Sequence, residues 1–216
     1  MLLVVNFKTY AESTGMPAMH LADIHNNVAE DGADIIIAVQ PTDIAMIALQ
    51  VGIPVYAQHV DAHLKQGKNT GYILPEAVKI AGAQGTLLNH AEHRIPFDTL
   101  VSSISRCHQL GLKAIVCSDS IEEVKKLLPL KPYAIAFEDP ELIGSGQSIT
   151  KSKVDVLKEF VHILAGSDVL PLCGAGISTH DDMIEAKNLG TKGVLVASAI
   201  TLAKDPESVV RMLLGK

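Results

Sequence analysis

Just past the short apolar runs of this chain stand polar or small residues in pairs: Asn6 and Lys8, Gln58 and His59, Asn89 and His90, Glu138, Gly174 and Gly176, and Ala197 and Ser198. Each type has a chemistry. A lysine supplies a fixed cation, an imidazole can polarise a carbonyl, and a carboxylate can take a proton. Gly-Ala-Gly at 174–176 and Val-Ala-Ser at 196–198 are small-residue turns, where backbone N–H groups can approach an oxyanion. A helix beginning at such a turn adds partial positive charge. If one fold gathers these positions, they read as a phosphate cradle with a base and an electrophile opposite.

The apolar runs decide whether they are gathered. They are Leu2 to Asn6, Asp34 to Val39, Pro54 to Gln58, Gly85 to Asn89, Lys113 to Cys117, Tyr133 to Phe137, Asp168 to Cys173 and Gly193 to Ala197. Their apolar character is nearly continuous, which strands buried on both faces of a helix-covered parallel sheet require. Helical segments follow them, most clearly Pro75 to Ala81, Asp98 to Leu110 and Val154 to Leu164, and Gly32, Gly52, Gly82, Gly111 and Gly190 stand as stops before the next strand. The 216 residues allow about 27 for each of eight strand–helix units, enough for a minimal (β/α)8 barrel. An open doubly wound sheet is the alternative. The barrel is preferred because it leaves no exposed edges and because no change of composition marks a boundary, so residues 1–216 are expected to form one barrel domain. The carboxyl ends of its strands then form one rim, and the residues named above meet there.

Composition narrows the partners. With 48% hydrophobic and 19% charged residues the chain is no disordered segment, and no apolar stretch reaches the roughly 18 residues that span a bilayer, so no membrane partner is expected. A net charge of −6, 4% aromatics and no Trp offer nucleic acid neither a basic face nor stacking platforms. Any anionic ligand must be small and locally bound. Cys107, Cys117 and Cys173 are an odd number without a C-x-x-C pair, which speaks against disulfides and structural zinc and for a reducing, cytoplasmic setting. The N-terminal residues lack a charged n-region, a long apolar run and a cleavage site, so no secretory leader is expected. His59, Asp61 and His63 could ligate a metal but lack H-E-x-x-H spacing and lie in the longest irregular stretch, His59 to Tyr72, so no metal or other cofactor is expected.

The chain resembles the triosephosphate isomerase family in its short archaeal form. The likeness rests on Asn-Phe-Lys at 6–8, Asn-His-Ala-Glu-His-Arg at 89–94, Ala-Phe-Glu at 136–138, Glu-Leu-Ile-Gly-Ser-Gly at 141–146, Cys-Gly-Ala-Gly-Ile at 173–177 and Val-Ala-Ser at 196–198, in order along the whole chain. The resemblance implies cofactor-independent interconversion of glyceraldehyde 3-phosphate and dihydroxyacetone phosphate through an enediolate, a step of glycolysis and gluconeogenesis. Glu138 would be the base, His90 the electrophile and Lys8 the cation for enediolate and phosphate charge, with Asn6 orienting the substrate. Backbone groups at Ile143, Gly144, Gly174, Ala197 and Ser198 would hold the phosphate, and residues 139 to 147 would form a lid. A helix opening at Ala91 and Glu92 would keep His90 neutral. A homo-oligomer, dimer or tetramer, is also implied, with Thr70-Gly71 at the tip of the docking loop after the third strand.

Three positions depart from the family pattern. Asp139 stands where a proline usually follows the base, which predicts a looser first hinge of the lid. Ala91 replaces a serine that would hold the carboxylate in the open state, and Ser145 replaces a threonine while keeping its hydroxyl. Singly, each site residue has a plainer reading: a solvated lysine, a hydrogen-bonded histidine, a helix-capping glutamate, a tight glycine turn. A different phosphosugar isomerase or epimerase should add a metal set or a second rim carboxylate, and a non-catalytic phosphate-binding barrel should have no need of Glu138 and His90 together.

Overall fold

Runs of β-branched and aliphatic residues three to six long form the barrel wall. The computed structural model describes residues 1–62 and 65–216. Among these, β1 (Leu2–Asn6), β2 (Ile35–Val39), β3 (Val55–Ala57), β4 (Gly85–Leu88), β5 (Lys113–Ser118), β6 (Ala134–Phe137), β7 (Leu170–Gly174) and β8 (Gly193–Val196) pair in parallel in chain order. β8 returns to β1, with Leu3 opposite Val194, and closes the barrel. Closure leaves no strand edge unpaired. Side chains alternate across the wall: Val4, Ile36, Ala38, Tyr56, Leu87, Ile115, Cys117, Ala136, Leu172 and Leu195 form one buried cluster that fills the interior. Their neighbours Leu3, Val5, Ile35, Ile37, Val39, Leu88 and Val116 belong to the cluster under the helices. Both faces being buried explains the nearly unbroken apolar runs.

The helices are α1 (Met16–Glu30), α2 (Ile44–Ala48), α3 (Pro75–Ile80), α4 (Phe97–Leu110), α5 (Ile121–Leu127), α6 (Ile149–Ser152), α7 (Val154–Leu164), α8 (His180–Asn188), α9 (Ser198–Thr201) and α10 (Pro206–Leu214). One helix per strand was expected, but β6 and β8 are each followed by two. Lys153, at φ −130 and ψ 40, leaves helical geometry and separates α6 from α7. Asp205 starts α10 by accepting the Ser208 N–H at 3.1 Å, with Pro206 in the first turn, where its missing donor costs nothing. Among the described residues no helix is long and apolar enough to cross a membrane.

α1 packs on β2 and buries His25 together with Leu21, Ala22 and Val28 of the cluster under the helices. His25 is wholly buried, with its ring 5.6 Å from Phe7 and Nδ1 2.6 Å from the Leu21 carbonyl oxygen, while Nε2 has no hydrogen-bond partner among the described residues. Burial pulls its pKa from 6.5 to about 4. Between those values the unfolded chain binds the proton and the native chain does not. Stability is therefore full above pH 6.5 and falls as pH drops towards 4, by up to about 3 kcal/mol. Urea unfolding at pH 7, 5.5 and 4.5 should show that decline, and His25→Leu should flatten it. Parallel curves for the two proteins would contradict the assignment.

Candidate active site

The rim is built strand by strand. Lys8 follows β1 with a left-handed backbone, φ 52, which costs a non-glycine residue of order 1–3 kcal/mol unless neighbours impose it. Two side chains do so. Asn6 Oδ1 accepts the Lys8 N–H at 2.9 Å, and Gln58 Nε2, from the end of β3, donates to the Lys8 carbonyl at 2.7 Å. The Lys8 ammonium, nearly buried, pairs with Glu92 Oε1 at 2.7 Å.

After β4, Asn89 also takes a positive φ, 61. Its amide donates to the Cys117 carbonyl at 3.0 Å and to Glu123 at 3.1 Å, and its Oδ1 accepts the Ile95 N–H at 3.2 Å, so the turn carrying His90 is stapled to β5 and α5. The helix expected at Ala91 and Glu92 is absent. Residues 91–93 form a turn closed by the His93 N–H on the His90 carbonyl at 2.8 Å, and α4 waits until after Pro96, whose ring disfavours helix in the residue before it. A single N–H replaces the helix end: that of Glu92 donates to His90 Nδ1 at 3.2 Å. A nitrogen that accepts carries no proton, so Nε2 is the N–H of the neutral ring.

Glu138 closes β6, with its N–H on the Ser118 carbonyl at 3.0 Å, and is buried. Oε2 lies 3.6 Å from His90 Nε2. Burial raises its pKa most, with His90, a hydrogen bond from the Cys117 thiol and Lys8 pulling the other way. A carboxylate so raised is a stronger base than one in water. Gly174 lies beneath it, and a Cβ there would stand 2.5 Å from Oε1. The carboxylate thus rests among His90, Cys117 and Gly174, and its Oε2 has no hydrogen-bond partner among the described residues.

These side chains face a cavity of about 280 Å³. Asn6, Lys8, His90 and Glu138 form one side, Ile143, Gly144 and Gly146 come over it, and Ala175 to Ser178 and Ala197 to Ala199 complete it. Residues 139–147 are internally bonded: the Leu142 N–H meets the Asp139 carbonyl at 3.0 Å, and Ser145 Oγ donates to the Leu142 carbonyl at 2.9 Å. The Gln147 carbonyl sits where a side chain at position 176 would project, and φ is +70 there, so only glycine fits. α9 begins at the cavity wall, with first-turn N–H groups that have no partner inside their own helix.

A family model for triosephosphate isomerase matches residues 1–213. The chain belongs to that family. It is 44% identical over 218 residues to the triosephosphate isomerase of Methanobacterium bryantii, covering all of this chain and 96% of that protein. Over 217 residues it is 43% identical to the enzyme of Methanocaldococcus jannaschii, covering 99% of each. The Sulfurisphaera tokodaii enzyme is also 43% identical, covering 97% of this chain and 92% of its own length.

The structure brings Asn6, Lys8, His90, Glu138, Ile143, Gly144, Ala197 and Ser198 to one cavity wall, while Gly174 lies below the carboxylate. Of the alternative metal trio, His63 lies outside the described residues. His59 Nε2 stands 3.4 Å from Asp61 Oδ1, and Asp61 Oδ2 is taken by the Ile73 N–H at 2.7 Å. Among the described residues no three His, Cys, Asp or Glu side chains could hold a metal. The sequence pointed to Glu92 only as the opening of a helix, and to no site role for Gln58 or Cys117. Glu92 lay within the quoted 89–94 motif, and Cys117 shares the inward parity of Ile115, which could have pointed to it.

Proposed function

We propose that the chain interconverts dihydroxyacetone phosphate and glyceraldehyde 3-phosphate. The observation that carries this reading is the approach of Glu138 Oε2 to His90 Nε2, 3.6 Å apart, beside Lys8 at one cavity. From the cavity, the substrate's carbonyl oxygen would face His90 Nε2 and its adjacent C–H would face Glu138. Glu138 takes the proton from one carbon, His90 gives its Nε2 proton to the oxygen that becomes negative and takes one back from the adjoining hydroxyl, which becomes the new carbonyl, and Glu138 returns its proton to the neighbouring carbon. Lys8 offsets the charge of enediolate and phosphate. The phosphate lies against backbone N–H groups of Ile143, Gly144, Ala197 and Ser198, with Gly174 keeping the floor open for the base. Segment 139–147 covers the cavity and keeps water from the enediolate, which would otherwise lose phosphate. No metal or nucleotide enters these steps. A coupled assay with glyceraldehyde 3-phosphate in excess chelator tests the reading: turnover unchanged by chelator supports it, and absent or chelator-sensitive turnover contradicts it.

The same reading includes a cytoplasmic homo-oligomer, dimer or tetramer. The short α2 and α3 meet where Gly82 packs on the Ala48 methyl, and Leu49 and Ile80 beside that contact are 90% and 83% exposed. Burying such surface between subunits adds apolar contact that two short helices do not provide. Sedimentation should give a species larger than one chain. An active monomer at micromolar concentration would contradict it.

A further inference from the structure

The expectation of a loose hinge at Asp139 fails on the geometry. Its side chain is bound at both oxygens: Oδ1 accepts the Glu141 N–H at 2.9 Å, and Oδ2 pairs with Lys153 Nζ at 2.9 Å. Its carbonyl accepts the Leu142 N–H. Lys153 is itself anchored at the joint of α6 and α7, with its N–H on the Ile149 carbonyl and its own carbonyl receiving the Leu157 N–H, both at 3.0 Å. α7 is seated on the barrel through buried Leu157, Phe160 and Leu164, and the Phe160 ring lies 5.4 Å from Phe137. The residues on either side of Glu138 are thus each held by α7 or its N-cap: Phe137 by an aromatic contact, Asp139 by an ion pair.

We propose that Asp139 and Lys153 are positioning residues that tie the first residue of the 139–147 segment to the N-cap of α7 and so set where the Glu138 carboxylate stands. This rests on Glu138 being the base. The pair crosses from the first residue of the segment to the residue that opens α7, so the first stem is tied to α7 rather than left as a free hinge. With Phe137 held by Phe160, rotation of the 138–139 backbone has no slack on either side. The lysine holds the Asp139 carboxyl below its ordinary pKa, and Asp139 raises that of Lys153, as a formed pair requires. A proline at 139 would restrict the same backbone by its ring. Here a charge pair between elements does the work, and it can be broken without touching the backbone.

Asp139→Asn keeps the acceptor for the Glu141 N–H and removes only the charge, and Lys153→Met removes the other partner. Each should lower kcat by about 3- to 10-fold with KM within about 2-fold, because misplacing a base costs rate rather than binding. The double variant should lose no more than either single one, since both break the same contact. Lys153→Arg should recover most of the rate, and melting temperatures should stay close to that of the parent. Unchanged kcat in both single variants overturns the proposal, and so does a double variant whose loss is the product of the two. Turnover by the parent reports the functional reading separately. If the parent does not turn over, amide exchange at residues 137–141 decides: it must quicken equally in the single and double variants, and unchanged exchange overturns the clamp.

Discussion

Glu138→Gln should lower kcat by on the order of 10² to 10⁴ while the protein keeps its fold, because the amide fills the same space but cannot take a proton from carbon. The pH dependence of the parent enzyme should report the same group. Its pKa is raised by burial, so the rate falls with acid below a value that lies above the ordinary glutamate range. The stability effect runs the other way. A carboxyl whose folded pKa is raised contributes stability that is present below its unfolded pKa and lost as pH rises through the folded one. At pH above its unfolded pKa the buried Glu138 is therefore a cost to folding, and the Gln variant should melt at or above the parent temperature at neutral pH. A variant that keeps near-normal turnover would remove Glu138 from the mechanism. Coupled-assay kinetics and thermal melts on one preparation give both answers.

Lys8→Met should cost about 10² to 10³ in kcat/KM, the scale of removing one preorganised charge from a developing oxyanion. The loss should be electrostatic rather than structural. The strained Lys8 backbone is held by Asn6 and Gln58 through main-chain atoms, so the loop survives loss of the ammonium. Glu92 would then lose its counter-ion while its Oε2 stays 3.6 Å from His90 Nδ1, which adds negative charge beside the substrate. Inhibition by 2-phosphoglycolate should weaken in step with kcat/KM. Unaltered inhibition and turnover would show that Lys8 serves only as a partner for Glu92.

Much of this arrangement was legible from the residues. The barrel follows from eight apolar runs whose two faces are both buried, and most boundaries fall within a residue or two of Leu2–Asn6, Val55–Ala57 or Gly193–Val196. The rim residues were legible because a parallel barrel turns every strand's carboxyl end the same way. What failed was local. A helix was expected at 91–92, yet Asn89 and the Glu92 N–H satisfy that turn and the helix starts six residues later, at Phe97. Asp139 was read as the absence of a proline. Its partner Lys153 lies beyond the lid and a four-residue helix, and nothing in the spacing marks the two as neighbours. The Lys8–Glu92 pair joins residues 84 positions apart, and only the closed barrel brings them together. Interior parity would have placed Cys117 against Glu138, had the residue after Val116 been followed inward from Ile115.

A single cavity should hold a phosphate against residues 143–144 and 197–198 and present two adjacent carbons to Glu138 and His90. A crystal structure with 2-phosphoglycolate, whose carboxylate stands in for the enediolate oxygens, tests it. The mimic's carboxylate should lie within hydrogen-bond distance of Glu138, then protonated, and of His90 Nε2, with Lys8 beside it and the phosphate on the N–H groups of Gly144 and Ser198. A phosphate seated elsewhere, or a carboxylate out of reach of both Glu138 and His90, would contradict it.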